Sequence, residues 1–219
     1  RTKVFILYST TFMKIKVCGI VDVDQILALD DLAIDFIGIN FYVQSKRYFK
    51  GCEKLSNLSL RTAKLVGVFV DPEMDVVLHA ADKHQLSYIQ LHGSESPQFC
   101  NALANRGLNV IKVFDGNHIP EYEIMKLYNA CTFFIIDSGL SDLAGHGKKF
   151  DWAYLHGVGI TKPWMVAGGI KEEHAGELIT LSALPLMMGC DINSGFELMP
   201  AKKDIRAISR FKNQLYANT

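Results

Sequence analysis

From Met13 onward the chain alternates short apolar runs with longer segments of helical spacing, and this alternation limits the available folds more than any other feature. The runs are Ile15-Lys-Val-Cys18, Phe36-Ile-Gly-Ile-Asn-Phe41, Leu65-Val-Gly-Val-Phe-Val70, Tyr88-Ile-Gln-Leu91, Val110-Ile-Lys-Val-Phe114, Phe133-Phe-Ile-Ile136, Trp164-Met-Val-Ala167 and Leu184-Pro-Leu-Met-Met188. Each has strand length and is rich in β-branched, aromatic or other large apolar residues. Segments with helical periodicity lie between them, such as 24–33, 72–84, 96–106, 172–181 and 203–216. Strands joined by helices run parallel, and near-continuous apolar strands are buried on both faces. An open doubly wound sheet would alternate in the same way. The count of eight, with glycines at the strand ends, favours an α/β fold of the (β/α)₈ TIM barrel type, one domain over 13–219. Residues 1–12 read as an N-terminal extension or an expression remnant, with a first edge strand as the plainer alternative.

A chain of 219 residues, about half of them hydrophobic, suits one such domain with a large core. The 23 basic residues equal the 23 acidic ones, and neither sign forms a long run, so nucleic acid and membrane surfaces are not expected partners. A small phosphorylated molecule remains possible, because a phosphate site needs a few backbone amides rather than net positive charge. The five cysteines are scattered, odd in number and free of C-x-x-C spacing, which fits a reducing cytoplasm. The histidines show no close metal-ligand spacing, so no metal is expected.

In a barrel of this kind chemistry sits at the carboxyl ends of the strands. Cys18 follows the first run and Asp137 the sixth. Alone, each has an ordinary structural explanation, a small buried hydrophobe and a turn cap. Together they would face one another across the barrel mouth as a base and an acid. Arg47, in Ser45-Lys-Arg-Tyr48, has the planar fork suited to a carboxylate, or lies in a solvated loop. His92 after Ile89-Gln-Leu91 is either a polar site group or a core-edge histidine. Three glycine-rich stretches, Gly145-His-Gly147, Gly168-Gly169 and Gly189 through Ser194-Gly195, fall at the ends of the last strands and suggest a phosphate cup rather than three independent turns. None has dinucleotide or P-loop spacing.

The stretches Lys16-Val-Cys18-Gly-Ile20, Ser45-Lys-Arg47-Tyr48, Val66-Gly-Val-Phe-Val70, Ile89-Gln-Leu-His92-Gly93, Phe150-Asp-Trp152, Ala167-Gly-Gly169 and Gly189-Cys-Asp-Ile-Asn-Ser-Gly195-Phe-Glu197 occur in order along nearly the whole chain. In combination they resemble the phosphoribosylanthranilate isomerase family of tryptophan biosynthesis. The resemblance implies a (β/α)₈ barrel and a cofactor-free Amadori rearrangement, with Cys18 as general base and Asp137 as general acid. It further implies that Arg47 binds the anthranilate carboxylate, that Asp191 lies beside the sugar, and that Gly145, Gly147, Gly168, Gly169, Ser194 and Gly195 hold the phosphate; His92 stands beside them as a candidate substrate contact. Ala144-Gly-His-Gly147 departs from the family's Gly-Gly-Thr-Gly loop, and His174 stands where asparagine is common. The expected assembly is a monomer or homodimer. Two rivals remain: a non-catalytic phosphate-binding barrel, and another sugar-phosphate isomerase or epimerase. The first is disfavoured by the retained Cys18 and Asp137, the second by the lack of the histidine and aspartate metal set that such epimerases use. Indoleglycerol phosphate synthase, a related phosphate-binding barrel, would want lysine and glutamate at the strand ends, which this chain does not clearly offer.

Overall fold

The computed structural model describes residues 13–51, 55–138 and 151–217; the expectations for residues 1–12 and for Gly145 and Gly147 lie outside them. Eight parallel strands form a closed barrel in chain order: β1 (Lys14–Cys18), β2 (Phe36–Asn40), β3 (Lys64–Phe69), β4 (Tyr88–Leu91), β5 (Asn109–Asp115), β6 (Phe133–Asp137), β7 (Trp164–Ala167) and β8 (Met187–Ile192). β8 pairs with β1 through Lys14↔Gly189 to Val17↔Ile192, which closes the ring. The helices are α1 (Val23–Asp31), α2 (Met74–His84), α3 (Pro97–Ala104), α4 (Tyr122–Lys126), α5 (Ala175–Leu181) and α6 (Ile205–Tyr216). Within the described residues the crossovers after β2 and β6 carry only short 3₁₀ helices, Leu55–Asn57 and Trp152–Gly157. A hairpin of β9 (Glu197–Met199) and β10 (Lys202–Lys203) separates β8 from α6.

Local chemistry explains the helix boundaries. The Asp22 carboxylate accepts the Asp24 N–H at the start of α1, Ser96 caps α3 ahead of Pro97, and Asp204 accepts the Ala207 N–H at the start of α6. Each satisfies an amide that the first helical turn leaves unpaired. In α6, Ile208, Phe211 and Leu215 share one face and are fully or almost fully buried, as a 3.6-residue period requires.

The strands alternate with period two. On β1, Ile15 and Val17 join the layer between strands and helices, so Lys16 and Cys18 face the barrel axis. The interior floor is apolar, built from Phe36, Val66, Ile111, Phe133, Ile135 and Met165 among others. Above it, towards the carboxyl ends, the axis-facing residues become polar.

One expectation needs correction. The last strand does not occupy 184–188: Pro185 has no N–H to give, and Leu186 adopts a φ of 62°, so the chain turns there. The strand starts at Met187 and holds Gly189, Cys190 and Asp191 within it. A bulge between the Trp164↔Met187 and Met165↔Gly189 pairs inserts Met188, which packs on the interior floor. Asp191 is therefore a strand residue aimed into the barrel, not a loop residue.

Candidate active site

The carboxyl ends of the strands gather Cys18, Asn40, Asp115 and Asp137, each the last residue of its strand, with His92 one residue past β4 and Asp191 inside β8. Lys16 lies one pleat below Cys18 and is wholly buried, its Nζ 2.8 Å from Asp191 Oδ2. Burial disfavours the Lys16 ammonium, yet Asp191 and the nearby thiol outweigh that and raise its pKa. Burial pushes the Asp191 carboxyl up against the pull of Lys16. Its other oxygen, Oδ1, is buried and has no hydrogen-bond partner among the described residues. A buried acceptor left open at a barrel mouth is suited to a ligand hydroxyl.

Cys18 is almost wholly buried. Burial pushes its thiol up, Lys16 and Lys203 pull it down, and Asp191 pushes it up. Gly38 on β2 makes room for this pair: a Cβ there would sit 2.9 Å from Cys18 Sγ and 3.0 Å from Lys16 Nζ.

Three strands round the ring from β1, Asp137 faces His92, whose Nε2 is 3.6 Å from Asp137 Oδ2, just beyond hydrogen-bond length. The His92 pKa falls to about 4, chiefly through burial, so the ring is neutral at neutral pH. Gln90 Nε2 lies 3.2 Å from His92 Nδ1; with the amide donating, the ring proton sits on Nε2, towards Asp137. The loop carrying His92 is fixed by Glu95, which accepts the Asp71 and Gly93 amides and the buried Lys112 ammonium at 2.9 Å.

Arg47 is not in a solvated loop. Its Nε and one terminal nitrogen donate to the two Glu197 oxygens at 2.7 and 2.6 Å, so most of the fork is taken by an internal carboxylate. At the far end of the ring, Gly168 has φ 88° and Gly169 φ 63°. A side chain at Gly168 would run into Ser138 Oγ and lie 2.7 Å from Asp137 Oδ1, so only glycine lets the β7 loop pass the carboxylate. Gly195 packs on the Ile170 carbonyl, which locks the β7 and β8 loops together beside Ser194. His174 accepts the Lys171 N–H at 3.0 Å and lies edge-on to Trp152, a local turn contact.

Sequence reasoning missed Lys16, Gly38, Gln90, Asn193, Glu197 and Lys203 as members of this cluster. For Lys16 and Gln90 a signal was present: each is a polar residue inside an apolar strand, two positions before a site residue, and period two puts both on the same face. Nothing local marks Lys203.

The family model described as N-(5′-phosphoribosyl)anthranilate (PRA) isomerase matches residues 15–214. The N-(5′-phosphoribosyl)anthranilate isomerase of Parabacteroides distasonis is 36% identical over 207 residues, 93% of either chain. Among solved structures, the phosphoribosyl anthranilate isomerase of Thermus thermophilus superposes with a TM-score of 0.80 at 25% identity, covering 94% of this chain and all of that one. A phosphoribosyl anthranilate isomerase solved in complex with reduced 1-(o-carboxyphenylamino)-1-deoxyribulose 5-phosphate gives 0.73 at 25% identity, over 94% and 99% of the two chains.

Proposed function

The chain belongs to the N-(5′-phosphoribosyl)anthranilate isomerase family, and from that membership we propose that it converts N-(5′-phosphoribosyl)anthranilate to 1-(2-carboxyphenylamino)-1-deoxyribulose 5-phosphate, with Cys18 as general base and Asp137 as general acid. The observation that carries the residue roles is that Cys18 and Asp137 each end a barrel strand, three strands apart on the ring, with Asp191 between them on β8.

Asp137 gives its proton to the furanose ring oxygen as the C1′–O bond breaks, and the anthranilate nitrogen takes up the positive charge as an iminium. The neutral His92 beside Asp137 supports this role, because a full positive charge there would hold the carboxyl ionised. The Cys18 thiolate then removes the C2′ proton, whose electrons form the C1′=C2′ bond and neutralise the nitrogen. The enolamine tautomerises to the ketone. The iminium nitrogen is the electron sink, so the chemistry asks for no cofactor.

The remaining contacts follow from the same reading. Asp191 Oδ1 accepts from a sugar hydroxyl, and His92 lines the mouth beside the acid. The Arg47 nitrogen not committed to Glu197 meets the anthranilate carboxylate. The phosphate rests on the Gly168, Gly169, Ser194 and Gly195 backbone, with Gly145 and Gly147 completing the cup. Residues 13–219 act as one catalytic domain, in the cytoplasm, as a monomer or homodimer. No described helix is long and apolar enough to cross a membrane.

The test is a fluorescence assay of phosphoribosylanthranilate consumption, run with chelator, on the wild-type chain, Cys18→Ala and Asp137→Asn. Turnover that survives chelation and falls by about 10²-fold or more in each variant is the expected result. A folded wild-type chain without turnover overturns the reading.

A further inference from the structure

Among the described residues, the charges packed around Cys18 do not cancel. Lys16 and Asp191 cancel. On the other side, a single carboxylate, Glu197, receives both Arg47, through two hydrogen bonds, and Lys203, whose Nζ is 2.7 Å from Glu197 Oε1. The Lys203 side chain is 0% exposed, and its other contact is the neutral amide oxygen of Asn193 at 2.6 Å. Among the described residues, then, Arg47, Glu197 and Lys203 form a buried cluster of net charge +1. A surplus charge out of water is costly unless an anion completes it.

The cluster is packed against the backbone that carries the thiol. Gly19, immediately after Cys18, has φ 78°; a Cβ there would run into Arg47 Cδ and lie 3.0 Å from the Asn193 oxygen that holds Lys203. The glycine thus lets the Arg47 stem, and the Asn193 amide that holds Lys203, close on the Cys18–Gly19 backbone.

Building on the base role proposed for Cys18, we infer that Lys203 is a positioning residue, its unbalanced charge holding the Cys18 thiolate in a cationic seat closed by Glu197, Arg47 and Asn193. The charged groups that act on the thiol are Lys16 on its own strand, Asp191 on β8, Arg47 after β2 and Lys203 on the hairpin. Glu197 lies beside the last two, and Asp137 and His92 face one another at the ends of β6 and β4. Lys203 and the thiolate also favour one another's charged forms, against the burial of each. A thiol this deeply buried needs such support to act as a base near neutral pH.

The test reads the thiol without substrate. The full chain is treated with iodoacetamide over about pH 6 to 10.5, and alkylation of the Cys18 peptide is followed by mass spectrometry, which separates it from the other four cysteines. Lys203→Met, checked as folded by circular dichroism, is expected to hold about tenfold less thiolate at a given pH, with Lys203→Arg restoring it. Glu197→Gln, which keeps the shape and removes the only negative charge of the cluster, is expected to shift the profile the opposite way. This sign reversal is one that mere loosening of the site does not produce, and it stands as the test if Lys203→Met fails to fold. Profiles of folded Lys203→Met and of Glu197→Gln that superpose on the wild type overturn the inference. Shifted profiles in a chain that turns over no phosphoribosylanthranilate would sink the enzymatic reading and leave the thiolate seat standing. Turnover with unshifted profiles would do the reverse.

Discussion

Asp30 shows how one side chain fixes a loop. It lies in the last turn of α1, is almost fully buried, and accepts the backbone N–H groups of Arg61, Thr62 and Ala63 at 2.8 to 2.9 Å. Burial pushes its carboxyl up, but the three amides and the Thr62 hydroxyl outweigh that and bring the pKa down to about 2. Because the folded value lies below the unfolded one, the stability this carboxylate contributes is present above about pH 4 and is lost as pH falls towards 2. The contribution is about 2 kcal/mol. Urea unfolding of Asp30→Asn should show a deficit of that order near neutral pH that shrinks below about pH 4; a deficit independent of pH would mean that shape, not charge, matters here. The same logic of buried acceptors governs Asp191, except that its Oδ1 has no hydrogen-bond partner among the described residues.

Among the elements, α6 is the one whose burial is easiest to read. Phe211 is wholly enclosed and meets Phe196, on the turn after β8, with ring centroids 4.8 Å apart. That contact ties the last helix to the turn that also presents Ser194 and Gly195. Replacing Phe211 by alanine removes the ring and leaves a cavity, at a cost of about 3–5 kcal/mol. Denaturant unfolding measures the loss, and a change below about 1 kcal/mol would show that the helix relaxes to fill the space. The hairpin β9–β10 is the less obvious element. It carries Glu197 and Lys203 to the site, and its only sequence mark is a short apolar stretch broken by Pro200.

For the whole molecule the decisive feature is closure. A barrel removes the exposed strand edges that an open sheet must protect, and here the seam is β8 on β1. Gly189 sits on it: a Cβ there would run into the Lys14 carbonyl oxygen and lie 2.8 Å from Met165 Cε. Gly189→Val is expected to prevent the two strands from pairing, giving low soluble yield and loss of a cooperative thermal transition, with Gly189→Ala milder. A valine variant that melts like the wild type would show that the seam can spread without opening the ring. Closure also creates the site, since Lys16 and Asp191, 175 residues apart, meet only when β8 returns to β1.

The local pattern of the sequence determined the number of barrel strands, their parallel sense and the residues at the strand ends, because hydrophobic period and turn chemistry act over a few neighbours. The strand-end positions of Cys18, Asp137 and His92 were legible on those grounds. The bounds of the last strand were not, since its most apolar stretch contains a proline that cannot donate and its true core includes Gly189 and Asp191. Only the tertiary structure decided which polar groups pair: Arg47 with Glu197, 150 residues away, and Lys203 with the same carboxylate. The physical reason is that a period says which face a side chain takes, whereas the partner it finds there depends on how the ring closes and on how much water closure removes.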